Sequence, residues 1–364
     1  MKTTLERFLD YVCWDTCSDE ESVTVPSTPG QIDFAKYLTE ELTAMGIEDV
    51  RLDNKGYIYG SLPANVNGDT PTIGFIAHMD TSSAHPSVTR PPRIIDNYDG
   101  DIITLESGMT IDPDITVKLA DCKGQTLVVT DGYTLLGGDD KAGVAEIVTA
   151  LEYLLNHPEV KHGRVAFSFT PDEEIGASQD NFSVEEFGAD FAYTIDGGSF
   201  GEIDFENFFA ASAAIRIKGV TTHPGEAKNQ MKNASLIAME YDHLLPPWER
   251  PEHTEGYEGF YHLESISGDC ENCSMEYLVR EHDREKFEER KETMKKAAEF
   301  INRRYGAGTA DIAIKESYRN MAEIIRPHMH IIDNAREAIR QLGNEPLTSP
   351  IRGGTDGKMY SARD

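Results

Sequence analysis

The chain has 364 residues, of which 39% are hydrophobic and 27% are charged, a composition typical of globular proteins. Its 64 acidic side chains outnumber the 34 basic ones, and the net charge of −30 disfavours nucleic acid and anionic membrane as partners. No run approaches the roughly 18–20 consecutive apolar residues of a membrane span. The length favours two domains over one.

The amino terminus and the cysteines both favour a cytoplasmic location. Residues 1–22 have no apolar signal-peptide core and are typical of an amphipathic helix. Five cysteines are an odd and sparse set for this length, which suits a reducing compartment. Cys270 and Cys273 form a CxxC without a second pair, so we predict free thiols in a hairpin and no zinc ribbon.

Up to about residue 205, short apolar runs alternate with helical stretches, which predicts α/β architecture. The predicted helices span 31–45 and 141–156. The predicted strands span 56–62, 72–78, 164–170 and 191–196.

The pattern changes near residue 208, where strands and helices follow in the order β-α-β-β-α-β. That order predicts a ferredoxin-like module inserted into the first domain. A further helix, at about 328–342, leads into "PIRGGTDG", which resumes the style of the first domain. We therefore predict a catalytic domain at 1–207, an inserted lid at 208–320 and a return to the catalytic domain at 321–364.

Several predicted strands end in polar residues of the kinds that bind metals. The run "IGFIAHMDTS" begins as a buried strand and ends in His78 and Asp80, which face a common point because they are two residues apart. Taken alone, it is better explained by a strand that meets solvent and turns polar. Similar positions follow the other strands or open the second helix: Asp139, Asp140, Glu173, Glu174 and Asp196.

Each of these stretches also has a structural explanation, since acids suit helix starts and a DGG suits a turn. Together they predict that several carboxylates converge, which would be strongly repulsive without cations. Histidine with carboxylates suits zinc, with cobalt or manganese as substitutes. Two ions bridged by one carboxylate can hold a hydroxide and polarise a carbonyl. The Glu173–Glu174 pair can supply both a general base and a ligand.

Motifs throughout the chain are similar to those of one family. They are "VPSTPGQ", "GFIAHMDTS", "TDGYTLLGGDDKAGVAEI", "FTPDEEIG", "YTIDGG", "HPGEAKNQMKNA", "TEGYEGFYHL" and "PIRGGTDG". On these motifs the chain resembles the peptidase T family of tripeptide aminopeptidases, within the clan of dizinc aminoacylases and carboxypeptidases. The resemblance implies a mixed-sheet α/β exopeptidase domain with an inserted ferredoxin-like α+β lid. It also implies a cytoplasmic metallo-aminopeptidase that binds two zinc ions and releases the N-terminal residue of tripeptides.

The resemblance also implies a role for each site residue. His78 and Asp196 would bind the first metal and Glu174 the second. Asp139 would bridge the two metals, and its peptide bond to Asp140 would be cis. Asp80 would orient His78.

The same resemblance makes Glu173 the general base for a metal-bound hydroxide. On the lid, His223 would stabilise the oxyanion. Arg280 and Arg352 would hold the terminal carboxylate of the peptide, with surface ion pairing as the alternative for both. The resemblance allows a homodimer through the lid domain.

One departure concerns the carboxyl end. The family pattern places a second-metal histidine downstream of "GGTDG", whereas no histidine follows His330 here. We therefore expect a fragment or a shortened product, with a weak second metal site and low activity. The alternatives are a related dipeptidase or N-acyl amino acid hydrolase, and a non-catalytic peptide-binding relative.

Overall fold

The computed structural model describes residues 1–84, 91–116 and 118–353. Packing divides the chain into two compact units, Met1–Ser199 and the residues from Phe200 onward. The predicted boundaries at 207 and 320 stay a prediction, and the motif "PIRGGTDG" lies outside the described residues from position 354. Among the described helices, none is both long and apolar enough to cross a membrane.

The first unit alternates helices and strands, as the sequence pattern predicts. Its helices are α1 (Thr4–Tyr11), α2 (Pro29–Ala44), α3 (Gly138–Asn156) and α4 (Val184–Phe187). Its strands are β1 (Asp49–Leu52), β2 (Ile58–Leu62), β3 (Ile73–His78), β4 (Arg93–Ile95), β5 (Ile103–Thr104), β6 (Thr110–Ile111), β7 (Leu127–Val129), β8 (Val165–Thr170) and β9 (Phe191–Thr194). The amino-terminal helix is shorter than the pattern over residues 1–22 indicates, since it ends at Tyr11, and α3 begins at Gly138 instead of 141.

The main sheet of this unit has the order β1-β2-β8-β3-β9. β3 runs parallel to both β8 and β9, whereas β1 and β2 pair antiparallel, so the predicted mixed sheet is confirmed. His78 pairs with Thr170 at the end of the β3–β8 ladder. Since parallel strands end at the same edge, the residues after β3, β8 and β9 meet there.

Helices α2 and α3 contribute apolar side chains to the core of this unit. Phe34 and Leu38 from α2 and Val144 from α3 are fully buried in one cluster with Phe167 and Phe169 of β8. The close packing fixes the start of α3, which opens beside the carboxyl ends of the strands.

Residues 79–137 connect β3 to α3 and contain two small sheets, β4 with β7 and β5 with β6. A separate cluster of Tyr98, Ile103, Leu105 and Val129 packs between them. These strands were not predicted from the sequence, because segments of two or three residues are too short to show an alternating pattern.

The second unit contains the predicted β-α-β-β-α-β module. Its elements are β10 (Phe209–Lys218), α5 (Ala234–His243), β11 (Phe260–Gly268), β12 (Asn272–Glu281), α6 (Arg284–Tyr305), β13 (Ala310–Tyr318), α7 (Ala322–Ile325) and α8 (His330–Gln341). The four strands form an antiparallel sheet in the order β11-β12-β10-β13, which confirms the ferredoxin-like fold. Cys270 and Cys273 are free at the β11–β12 hairpin, as predicted.

Candidate metal centre

His78 is the last residue of β3 and is only 3% exposed. Its Nδ1 lies 3.1 Å from the carbonyl oxygen of Asp80 and 3.3 Å from Asp80 Oδ1. Its Nε2 lies 2.8 Å from Asp139 Oδ1 and 4.0 Å from Asp196 Oδ1. Burial opposes protonation of the ring, but hydrogen bonds with Asp139 and Asp80 outweigh it and raise the pKa of His78 well above its ordinary value. The imidazole is therefore held by Asp80 on one side and turned toward carboxylates on the other.

Asp80 connects β3 to the loop that follows β8. Its side chain is fully buried, and both oxygens accept hydrogen bonds from backbone amides. Oδ1 accepts from the amide of Glu173 at 2.9 Å, and Oδ2 accepts from the amide of Glu174 at 3.1 Å. One carboxylate therefore sets the positions of the two acidic residues predicted as base and ligand.

Asp139 and Asp140 have non-helical backbone angles within the first turn of α3, and the peptide bond between them is cis, as predicted. Asp140 is buried; Oδ2 accepts from the amide of His78 at 3.2 Å and Oδ1 from that of Gly143 at 3.1 Å. Burial raises the pKa of Asp140 well above its usual range. The Asp139 side chain is 67% exposed, and its hydrogen bond with His78 lowers its pKa. Asp140 is thus anchored to the backbone, whereas Asp139 is accessible to a ligand.

Two groups of side chains place their potential ligand atoms within 4.8 Å of one another. One group is His78, Asp139 and Glu174, and the other is His78, Asp140 and Asp196. Burial and the nearby charge of Asp139 raise the pKa of Glu174, which shows the repulsion within the first group. An imidazole surrounded by carboxylates is a donor set that fits zinc and similar divalent cations.

The two groups share His78 and between them contain the four residues that were predicted to bind metal, together with Asp140. Their roles as metal ligands stay predictions. From the sequence, Asp140 was expected among the converging acids but was given no role as a metal ligand. Adjacent aspartates look alike in a sequence, and only the backbone conformation separates an anchored carboxylate from an accessible one.

Lys141 is a further buried charge beside this centre that the sequence analysis did not identify. Its ammonium group donates to the carbonyl oxygen of Trp14 at 2.6 Å and lies 5.5 Å from the centre of the Phe34 ring. Burial lowers its pKa to about 8, although the charges of Asp15 and other groups oppose that shift. Lys141 fastens the first turn of α3 to the segment after α1.

The three other predicted site residues belong to the second unit. His223 is exposed, and its Nδ1 accepts from the amide of Gly225 at 3.2 Å. Arg280 donates through Nη1 to the carbonyl oxygens of Ala211 and Val279, at 3.2 and 3.0 Å. Their roles toward a substrate stay predictions.

Arg352 has several donors engaged by one loop. Nη1 donates to the carbonyl oxygens of Gly256 and Glu258, at 2.8 and 2.7 Å, and Nη2 donates to Thr254 Oγ1 at 2.8 Å. The guanidinium also lies over the rings of Phe208 and Phe260. Recognition of a substrate carboxylate by Arg352 stays a prediction, and it would require donors that these contacts leave available.

Comparison with known proteins supports the same fold. A family model described as an M20 peptidase dimerisation domain matches residues 205–309. The chain is 52% identical over 361 residues to peptidase T of Clostridium perfringens, covering 99% of this chain and 89% of that protein.

Two solved structures are also similar. An aminopeptidase from Bacillus cereus aligns with a TM-score of 0.75 at 24% identity, covering 98% of this chain and 86% of that one. A dinuclear metal-binding peptidase of the M20 family from Bacillus subtilis aligns with a TM-score of 0.62 at 16% identity, covering 98% and 84%.

The mixed sheet and the dimerisation module therefore have the fold of M20 peptidases. The identity to the Clostridium perfringens protein extends over nearly the whole chain. This chain belongs to the peptidase T family.

Proposed function

We propose that the protein is a metal-dependent aminopeptidase that releases the N-terminal residue of tripeptides. The observation that supports this most is the convergence of His78, Asp139 and Glu174 within 4.8 Å, beside a loop that also holds Glu173. The proposal rests as well on membership of the peptidase T family and on the aminopeptidase activity named for the Bacillus cereus protein.

His78, Asp139 and Asp196 would hold one cation, and Asp139 with Glu174 would hold the other. Zinc is the cation that this donor set favours, with cobalt or manganese as substitutes. A bound pair of such cations lowers the pKa of a water molecule and polarises a peptide carbonyl. Asp139 suits the position shared by the two cations because its carboxylate is exposed. Both oxygens of Asp140, by contrast, accept hydrogen bonds from backbone amides.

The protein side chains then provide proton transfer and orientation. Glu173 takes a proton from the attacking water and returns it to the leaving amine. Asp80 holds the backbone of Glu173 in place, because Oδ1 accepts a hydrogen bond from the Glu173 amide. By accepting a hydrogen bond from His78 Nδ1, Asp80 also leaves Nε2 as the nitrogen that faces a cation.

Substrate recognition and assembly are assigned to the second unit. His223 would donate to the developing oxyanion. Arg280 and Arg352 would bind the carboxylate of the tripeptide, for which a guanidinium fork is well shaped. The match of residues 205–309 to a peptidase dimerisation domain supports a homodimer formed through this module.

The test is hydrolysis of tripeptides by the purified chain with added zinc, cobalt or manganese, detected as release of the N-terminal amino acid. We expect turnover in the native chain and a loss of roughly 10²–10⁴-fold in kcat for Glu173→Gln, because its proton acceptor is gone. Metal binding by the Glu173→Gln variant, measured by calorimetry, should be retained. Glu185→Gln, an exposed change on α4, is the matched control and should alter kcat by no more than about twofold.

Cleavage of dipeptides or N-acyl amino acids without cleavage of tripeptides would show that the substrate class is wrong. Peptide binding without turnover would identify a non-catalytic relative.

A further inference from the structure

The loop after β8 is held by a second buried carboxylate, that of Asp172, which is 2% exposed. Its Oδ2 accepts from the amide of Ser27 at 2.8 Å. Its Oδ1 accepts from Ser27 Oγ at 2.5 Å and from Gln31 Nε2 at 2.8 Å. Gln31 completes the contact, since its Oε1 accepts from the amide of Asp172 at 3.1 Å. The three side chains form a closed network that is hidden from solvent.

Ser27 and Gln31 belong to the motif "VPSTPGQ", to which the catalytic scheme gives no role. The motif is itself fixed in position. Thr28 Oγ1 donates to the carbonyl oxygen of Cys17 at 2.7 Å. A Cβ added to Gly30 would lie 1.9 Å from the carbonyl oxygen of Asp15, so only glycine allows this close approach. The network thus connects a rigid turn at the start of α2 to the loop that carries Glu173.

The backbone at Asp172 explains why the loop needs such support. Its φ is +57°, a left-handed backbone conformation that residues other than glycine adopt rarely and at a cost in free energy. This conformation directs the chain so that the next two amides, those of Glu173 and Glu174, donate to Asp80. The carbonyl oxygen of Asp172 also accepts from the amide of Ala177 at 2.9 Å.

We propose that Ser27, Gln31 and Asp172 are positioning residues that orient Glu173 and Glu174 toward the cations. The inference rests on the proposed function. The loop is clamped by two carboxylates, with Asp172 holding it toward α2 and Asp80 holding it toward β3. The network acts through the two glutamates.

The decisive variant is Asp172→Asn. Asparagine tolerates a positive φ, so the backbone conformation stays available. The new amide nitrogen, however, is itself a donor and must face either the Ser27 amide or Gln31 Nε2, which are donors as well. In the metal-free chain we expect the amides of Glu173 and Glu174 to exchange hydrogen at least about tenfold faster. Zinc affinity should fall about 10–100-fold, and kcat should fall with KM changed by less than about threefold.

The matched control is Glu41→Gln, which also replaces one acceptor oxygen of a partly buried carboxylate in the first unit. Glu41 accepts from Arg7 Nε at 3.1 Å and from the hydroxyl of Tyr11 at 2.8 Å. This change should lower the melting temperature but leave zinc affinity and the exchange of the Glu173 and Glu174 amides within about twofold of native.

A second test uses coupling. Added to Glu173→Gln at saturating zinc, the Asp172→Asn change should lower kcat by a smaller factor than it does alone, because one of the two glutamates that it positions is already gone. Full additivity would overturn the proposal. The proposal would also be overturned if Asp172→Asn lowered the melting temperature but left amide exchange and zinc affinity unchanged.

If Asp172→Asn does not fold, Ser27→Ala gives the same test with a smaller change, because it keeps the amide donor and removes only the hydroxyl. A native chain without tripeptide turnover would refute the proposed function. Faster exchange at Glu173 and Glu174 in the variants would still support the positioning network in that case.

Discussion

Asp80 accepts a hydrogen bond at 2.9 Å from the backbone amide of Glu173, a residue 93 positions later in the chain. The same carboxylate faces Nδ1 of His78. Asp80→Asn would replace one of the acceptor oxygens with a donor, so either an amide or the imidazole would lose its partner. We expect zinc affinity and kcat to fall about 10–100-fold. Calorimetric titration measures the first, and Asp33→Asn, a change in an exposed ion pair with Lys36, is the control.

The adjacent aspartates at the start of α3 should respond differently to substitution. Asp139→Asn is expected to weaken zinc binding at both positions by more than about tenfold, since its exposed carboxylate is the shared ligand. Asp140→Asn should act mainly on folding, because an amide cannot accept from both the His78 and Gly143 amides in the way a carboxylate does. Zinc titration and thermal unfolding of both variants separate the two effects. If Asp140→Asn lost more zinc affinity than Asp139→Asn, the shared ligand would be Asp140 and not Asp139.

Gly143 is a contact point between α3 and the end of β9. A Cβ at this position would lie 1.9 Å from the carbonyl oxygen of Ile195 and 2.5 Å from Asp140 Oδ1. Gly143→Ala should therefore destabilise the chain by about 1–3 kcal/mol and displace the segment that leads into Asp196. Chemical denaturation measures the first effect. Gly138→Ala is the control, because its nearest neighbours would be 3.9 and 4.0 Å away; equal stability of the two variants would refute the clash.

His282 makes the stability of the second unit depend on pH. The ring is 7% exposed and lies 4.2 Å from the Phe208 ring. Burial lowers its pKa below the ordinary 6.5, and contacts with Asn207 and Glu281 oppose that shift only in part. Because the unfolded chain binds this proton more readily than the folded one, the contribution of His282 is complete above about pH 6.5 and is lost as the pH falls.

His282→Phe should flatten this dependence, since phenylalanine keeps an aromatic ring in the site and does not titrate. Melting temperatures measured between about pH 7 and pH 5 should fall less steeply in the variant than in the native chain. Parallel curves for the two proteins would show that His282 titrates alike in the folded and unfolded states.

The positions of the elements could be read from periodicity, because β3, β8 and α3 each bury an apolar face or run. The grouping of His78, Glu174 and Asp196 followed from the rule that parallel strands end at one edge. The partners of Asp172 could not be predicted in this way. Ser27 and Gln31 lie 145 and 141 residues away from it, and neither has a spacing or a composition that indicates a distant carboxylate.

The potential ligands among the described residues all come from the first unit, yet they extend from position 78 to position 196 along the chain. A cation bound there would act as a non-covalent cross-link between segments that separate on unfolding. Free metal at one hundred times its dissociation constant would add about 2.7 kcal/mol to the stability of the unit that binds it. Because no described residue of the second unit belongs to these groups, zinc should delay the melting of Met1–Ser199 alone. Calorimetric scans with zinc would then resolve separate unfolding transitions for the two units. Removing the zinc with a chelator should make the two transitions coincide.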